Sequence, residues 1–217
     1  MQHSKLIASI DVDPQKTFTP LCPNELPVPE GDLIGAALNA QADLAQLRVL
    51  SKDSHPKEAI WRVDSPVEML QPLDHKNADL TWVSHGVPGT VGFETIADIP
   101  AVTEYDYVVW KGIEADLHPY GACYHDIEEK LSTGLIEWLQ IRKVEIVLVG
   151  GLATDYCVKT TALQLQRSAK FNQVIVNLEA SRGLAPETVE AAIHEMKQAG
   201  IIIVKQTAEI KALINQS

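Results

Sequence analysis

The segment "VLVGGLATDYCVKTTALQL", residues Val147–Leu165, changes character halfway along. Its first part is an unbroken apolar run that ends in Gly150-Gly151. A few positions later a single thiol, Cys157, opens an apparent helix. A short apolar run closed by glycine reads as a strand buried on both faces, and a helix directly after it reads as part of a βαβ unit. Whether Cys157 is a packed core residue or a nucleophile depends on what the rest of the chain brings beside it.

The same alternation repeats outward from this segment. Leu6–Val12, Leu47–Asp53, Tyr105–Gly112, Glu145–Gly151, Gln173–Ala180 and Ile201–Lys205 read as strands. Leu33–Gln46, Leu135–Arg142, Asp155–Ala169 and Pro186–Gln198 read as helices between them, with Pro186 suited to a first turn and Gly200 to a helix end. The pattern predicts an α/β fold: a three-layer α/β/α sandwich around a six-stranded, mainly parallel, Rossmann-like sheet, in one domain over residues 1–217. Two segments break the rhythm. Residues 17–32 carry four prolines, and residues 54–104 show little regular pattern. A loop that long inside a compact domain is usually a lid or a binding wall. Residues 64–80 also admit a reading as two short helices.

The chain of 217 residues is long enough for one well-buried domain and short for two. Eighteen basic against twenty-nine acidic residues give a net charge of −11, which repels phosphate backbones and anionic lipid heads. Nucleic-acid and membrane partners are therefore not expected. No apolar run approaches the roughly 20 residues that span a bilayer, and the start shows no secretory pattern. The three cysteines, Cys22, Cys123 and Cys157, are far apart and form no C-x-x-C pair, which fits a reducing cytoplasm.

In parallel sheets, ligands bind beyond the carboxyl ends of the strands. Asp13 follows the first predicted strand, Lys111 ends the third and Cys157 lies just past the fourth. Each has an ordinary reading as turn residue, solvated amine or packed thiol. Together they bring an acid, an amine and a thiol to one sheet edge, the pattern expected for acyl transfer through a thioester. A helix's first turn would favour a thiolate at Cys157, Thr154 or Asp155 could cap that helix, and its backbone N–H groups could hold an oxyanion. Asp53 and His55, two apart after the second strand, can face one way, and with His85 of the long loop they make a candidate site for Zn²⁺, Fe²⁺ or Mn²⁺. His3, His75, His118, His125 and His194 have no patterned partners and read as surface residues.

In order along the chain, D-x-Q-x-x-F (Asp13, Gln15, Phe18), Lys111-Gly112 and G-x-A-T-D-x-C-V (Gly151 to Val158) resemble the motifs of the isochorismatase-like cysteine hydrolases. The D-x-H pair and W-x-x-H-x-x-x-G-T (Trp82, His85, Gly89, Thr90) are similar to the nicotinamidase/pyrazinamidase branch. The resemblance runs from about residue 6 to 204. It implies a catalytic triad of Asp13, Lys111 and Cys157, a non-proline cis peptide at Leu152–Ala153, and an oxyanion hole from the N–H groups of Ala153 and Cys157. It further implies a divalent metal (Zn, Fe or Mn) on Asp53, His55 and His85, aromatic walls from Phe18, Trp82 and Tyr120, and a small nicotinamide-like amide as substrate. The chain departs from the family where Trp61 stands in place of a histidine that one subgroup uses on the metal. Asp64 is then a candidate fourth ligand and Glu58 a weaker one. Gly121 and Cys123 replace a usual serine and aromatic, which bears on pocket shape.

Rival readings are a same-fold amidase or carbamoyl hydrolase for another small substrate, a vinyl-ether hydrolase of the isochorismatase type, and a non-catalytic binding relative. Cys157 argues against the vinyl-ether reading, and the Asp53/His55/His85 set argues against the metal-free amidases. The intact Asp13/Lys111/Cys157 set argues against a non-catalytic one. A redox role for Cys157 lacks a resolving cysteine nearby. Assembly into a homo-oligomer is left open by the sequence.

Overall fold

The computed structural model describes residues 5–216, with side chains through residue 214. Six strands, β1 (Ile7–Val12), β2 (Leu47–Asp53), β5 (Tyr107–Lys111), β6 (Ile146–Leu152), β7 (Gln173–Arg182) and β8 (Ile202–Val204), form one sheet in the order β5-β2-β1-β6-β7-β8. Every neighbouring pair runs parallel. The central strands β1 and β6 are buried along their whole length, as expected where helices cover both faces.

Helices α2 (Leu135–Ile141), α3 (Lys159–Arg167) and α4 (Pro186–Gln198) cover one face. Leu135 and Leu139 of α2, Val158 just ahead of α3 and Met196 of α4 share one core cluster with Ala8, Ile10 and Val12 of β1. The other face packs Ile7, Ile146, Leu148 and Ile175 against α5 (Thr207–Gln216) through Ile210, and α1 (Gly35–Ala42) also lies against the sheet. The alternation along β1 feeds both cores, so one strand specifies both layers. Among the described residues no helix is long and apolar enough to cross a membrane.

Several elements differ from the sequence reading. The first helix is eight residues long and follows a separate 3₁₀ turn at Gly31–Leu33, so the predicted Leu33–Gln46 helix is cut at both ends. α5 was not foreseen. Residues 64–80 hold one 3₁₀ turn, Pro66–Glu68, and no α-helix. Their neighbours β3 (Arg62–Val63) and β4 (Trp82–Val83) make a two-residue parallel pair, with Trp61 and Trp82 driven into a cluster with Phe18, Leu26 and Val28. The long loop is therefore a packed wall over the carboxyl end of the sheet, held by its tryptophans.

The chain runs outward from β1 to β2 and β5, then returns to β6 on the other side of β1. The order reverses between β1 and β6, and a crevice opens beyond their carboxyl ends.

Candidate active site

Asp13 sits one residue beyond β1 with φ of 45°, a left-handed kink that takes its side chain off the strand's alternation. Its N–H donates to the Ser51 carbonyl at 3.1 Å, and its Oδ1 accepts from the Ser51 hydroxyl at 2.6 Å. Lys111, the last residue of β5, is fully buried. Its Nζ lies 3.0 Å from Asp13 Oδ2, 3.7 Å from Cys157 Sγ and 3.5 Å from the Pro119 carbonyl, and it also donates to Asp53 Oδ1. Carboxylate oxygens of Asp13 and Asp53 and the Cys157 sulfur all lie within 4.8 Å of one another. Three strand ends thus converge on one ammonium.

Gln15 ties this centre together. Its amide nitrogen donates to the Asp53 carbonyl at 2.9 Å and its oxygen accepts from the Asp53 N–H at 2.7 Å. The two-residue spacing of Asp13 and Gln15 thereby locks the end of β1 to the end of β2.

Cys157 occupies a single π-helical turn, Thr154–Val158, directly ahead of α3. The Val158 N–H reaches back five residues to the Ala153 carbonyl at 3.1 Å. The peptide before that turn, Leu152–Ala153, is cis. Gly151 has φ of 137°, and a Cβ there would meet the Val12 carbonyl oxygen at 2.0 Å, so β1 and β6 can come together only through glycine. Neither Thr154 nor Asp155 caps the turn. Asp155 accepts instead from the Leu184 N–H at 3.2 Å and the Thr188 hydroxyl at 2.5 Å, pinning the cleft wall to the start of α4.

Burial dominates the electrostatics. It pushes the Asp13 carboxyl up to about 6, with Lys111 pulling down and Asp53 pushing up in smaller measure. Burial also pushes Asp53 up, but Lys111 and then His55 outweigh it, so this carboxyl stays well below the usual range. Cys157 is raised well above an ordinary thiol, by burial first, against the pull of Lys111. Desolvation of the charge thus opposes the thiolate that the helix's first turn would favour.

A cleft of about 390 Å³, open solvent at its mouth included, lies over this centre. Phe18, Trp82 and Tyr120 all line it, and so do Tyr156 and Leu184, which sequence reasoning missed. Tyr156 stands edge-on to Trp82 at 5.2 Å, and Trp82 Nε1 donates to the Tyr120 hydroxyl at 3.3 Å. The adjacency of Tyr156 to the thiol was the available signal. Gly121 and Cys123 do not line the cleft: a Cβ on Gly121 would strike the Gln164 side chain, and Cys123 is core.

His85 and His118 line the same cleft, and one ring nitrogen each of His55, His85 and His118 lies within 4.8 Å of the others. His55 Nδ1 faces the Gly112 carbonyl at 3.1 Å and His85 Nδ1 the Val83 carbonyl at 2.7 Å. A carbonyl only accepts, so each Nδ1 carries the proton and each Nε2 presents a lone pair. His55 packs so tightly on Gly112, φ of 70°, that a Cβ there would stand 2.3 Å from the ring. Burial, then its imidazole neighbour, takes His85 down to about 3, and the same causes hold His118 well below its ordinary value.

His118 is a correction to the sequence reading: it is 3% exposed and belongs to this cluster. His75 and His194 are exposed, His125 is half-buried, and His3 lies outside the described residues. Asp53 stands 3.3 Å from His55 Nε2, and its Oδ1 also accepts a hydrogen bond from Lys111 Nζ. Asp64 is exposed and pairs with Arg62, and Glu58 is exposed, so neither is brought to the cluster. Trp61 is buried against His55 and His118.

A buried thiol beside an acid and an ammonium, in an aromatic cleft that imidazoles also line, is a constellation for covalent hydrolysis of a flat small molecule. The isochorismatase domain family matches residues 12–208, and the chain belongs to it. Within the family it falls in the nicotinamidase/pyrazinamidase branch. The Escherichia coli (strain K12) nicotinamidase is 30% identical over 184 residues, covering 81% of this chain and 84% of that protein. The structure of an Acinetobacter baumanii nicotinamidase/pyrazinamidase superposes with a TM-score of 0.83 at 29% identity, covering 97% of this chain and 100% of that one. A Pyrococcus horikoshii pyrazinamidase in complex with zinc gives 0.71 at 31% identity, over 92% and 98%.

Proposed function

We propose that this chain is an amidohydrolase that converts nicotinamide to nicotinic acid and ammonia through a thioester on Cys157. The observation that carries the reading is the joint burial of Asp13, Lys111 and Cys157 beside an aromatic cleft that His85 and His118 also line. The nicotinamidase relatives support the same substrate class.

Asp13 accepts the Cys157 proton as the sulfur attacks the amide carbonyl carbon. A carboxyl near 6 is suited to both taking and returning a proton at neutral pH. Lys111 keeps the paired acids and the forming thiolate neutralised. The carbonyl oxygen, now carrying the negative charge, is assigned to the N–H groups of Ala153 and Cys157. Loss of one such donor typically costs about 3–4 kcal/mol. Protonated Asp13 delivers its proton to the departing nitrogen, which leaves as ammonia. Asp13 then takes a proton from water, the hydroxide adds to the thioester, and the C–S bond breaks to give nicotinic acid and the starting thiol. Phe18, Trp82 and Tyr120 hold the ring flat between them.

Both ring nitrogens of His118, without a hydrogen-bond partner among the described residues, and the buried Nε2 of His55, 3.3 Å from Asp53, fit a bound cation, since such buried atoms are costly without a partner. We assign a divalent metal (zinc, iron or manganese) to Asp53, His55 and His85, consistent with the zinc in the archaeal relative. When bound, it would supply a Lewis-acidic position for the pyridine nitrogen and so orient the ring. We read residues 1–217 as one such domain, acting on a small diffusible amide in the cytoplasm, a compartment that its three free cysteines favour.

The test is ammonia release from nicotinamide by purified protein, as isolated, after chelation, and after metal add-back. Release that falls on chelation and returns with Zn²⁺, Fe²⁺ or Mn²⁺ supports the reading. No release from folded, metal-loaded protein contradicts it.

A further inference from the structure

We infer that His118 is a metal ligand and that Trp61 is the residue that positions it. The inference rests on the metal reading above and extends it to a residue outside the Asp53/His55/His85 set. His118 lies in the segment after β5, and its ring meets that of His85 at 5.7 Å. Among the described residues, neither of its buried ring nitrogens has a hydrogen-bond partner. An imidazole in that state forfeits the hydration of a donor and an acceptor with nothing in return. One of those nitrogens already lies within 4.8 Å of nitrogens on His55 and His85, close enough for one ion to bridge all three. The His118 ring is nearly parallel to that of His55 at 5.0 Å and stands edge-on to that of His85 at 5.7 Å, so all three imidazoles pack as one cluster.

The backbone is prepared for this role. The His118 N–H donates to the Asn77 carbonyl at 2.7 Å. Trp61 Nε1 donates to the carbonyl of Leu117, the preceding residue, at 3.1 Å. The Trp61 ring also meets His118 edge-on at 4.4 Å and His55 at 4.7 Å. One indole thus fixes the peptide that carries His118 and packs against both imidazoles. The same segment carries Pro119, whose carbonyl faces Lys111, and Tyr120, a wall of the cleft. Metal occupancy and cleft shape are thereby joined through three consecutive residues.

The experiment measures zinc affinity by competition with a chromophoric chelator, together with the visible spectrum of the cobalt-substituted protein. Wild type, His118→Ala, His118→Gln and Trp61→Phe are compared, with far-UV circular dichroism as the folding control. Expected are one tight site in wild type, a loss of about 100-fold or more in both His118 variants with an altered cobalt spectrum, and a smaller loss, about 10-fold, in Trp61→Phe. Wild-type affinity and spectrum in a folded His118 variant would overturn the inference and leave the metal reading standing. A changed KM for nicotinamide with unchanged metal affinity would likewise overturn it and make His118 a substrate contact. Absence of any metal site in wild type would remove the metal reading and this inference with it.

Discussion

Two buried acids on the same strand segment, two residues apart, have opposite fates. Asp11 and Asp13 are both fully buried, and burial pushes both up to about 6. Asp11 stays in the strand, where Arg48 holds it at 2.7 Å and the Tyr105 hydroxyl donates to it at 2.8 Å. It faces neither a reactive atom nor the cleft. Asp13 leaves the strand through a left-handed residue and lands beside an ammonium, a thiol and the cleft. A raised carboxyl is thus only the entry condition for catalysis, and an adjacent nucleophile in a cavity makes it a site.

The largest expected effect belongs to the nucleophile. Cys157→Ala should reduce kcat for nicotinamide by at least about 10⁴-fold while zinc content, measured by mass spectrometry, is retained. Residual turnover within tenfold of wild type would remove the thioester. Next comes pH. Asp13 must be ionised to take the thiol proton, so kcat/KM should fall about tenfold per pH unit below about 6 and level off above it.

Asp11 predicts a stability effect in the same pH range. Its carboxyl binds a proton more tightly in the folded state, about 6, than when unfolded, about 3.9, so its contribution is fully present below about 4 and is lost as pH rises through 6. The loss is on the order of 3 kcal/mol. Asp11→Asn should flatten that part of the urea-denaturation profile, and an unchanged slope would place the effect elsewhere. The smallest effect is at Asp64. Exposed and paired with Arg62, it should leave zinc affinity within twofold of wild type when replaced by Ala.

The difference between Asp11 and Asp13 was half legible in the sequence. Strand periodicity and the rule that ligands bind at carboxyl ends single out Asp13, Lys111 and Cys157, and the structure brings these three together. The six strands were legible for the same reason, because a buried parallel strand is written in consecutive residues. His118 was not. A lone loop histidine has no spacing signal, and its burial depends on an indole bond between residues 61 and 117. The cap expected at Asp155 failed because its carboxylate serves α4 instead, a tertiary choice that local pattern does not encode. Desolvation of Cys157 was not legible either, since helix position is local and burial is not.

The most direct test is ammonia release by Asp13→Asn and Asp11→Asn, assayed side by side at one pH with matched metal content. The account predicts a loss of about 10³- to 10⁴-fold for Asp13→Asn and a rate within a few-fold of wild type for Asp11→Asn. Equal losses in the two variants, or near-normal turnover in Asp13→Asn, would contradict it.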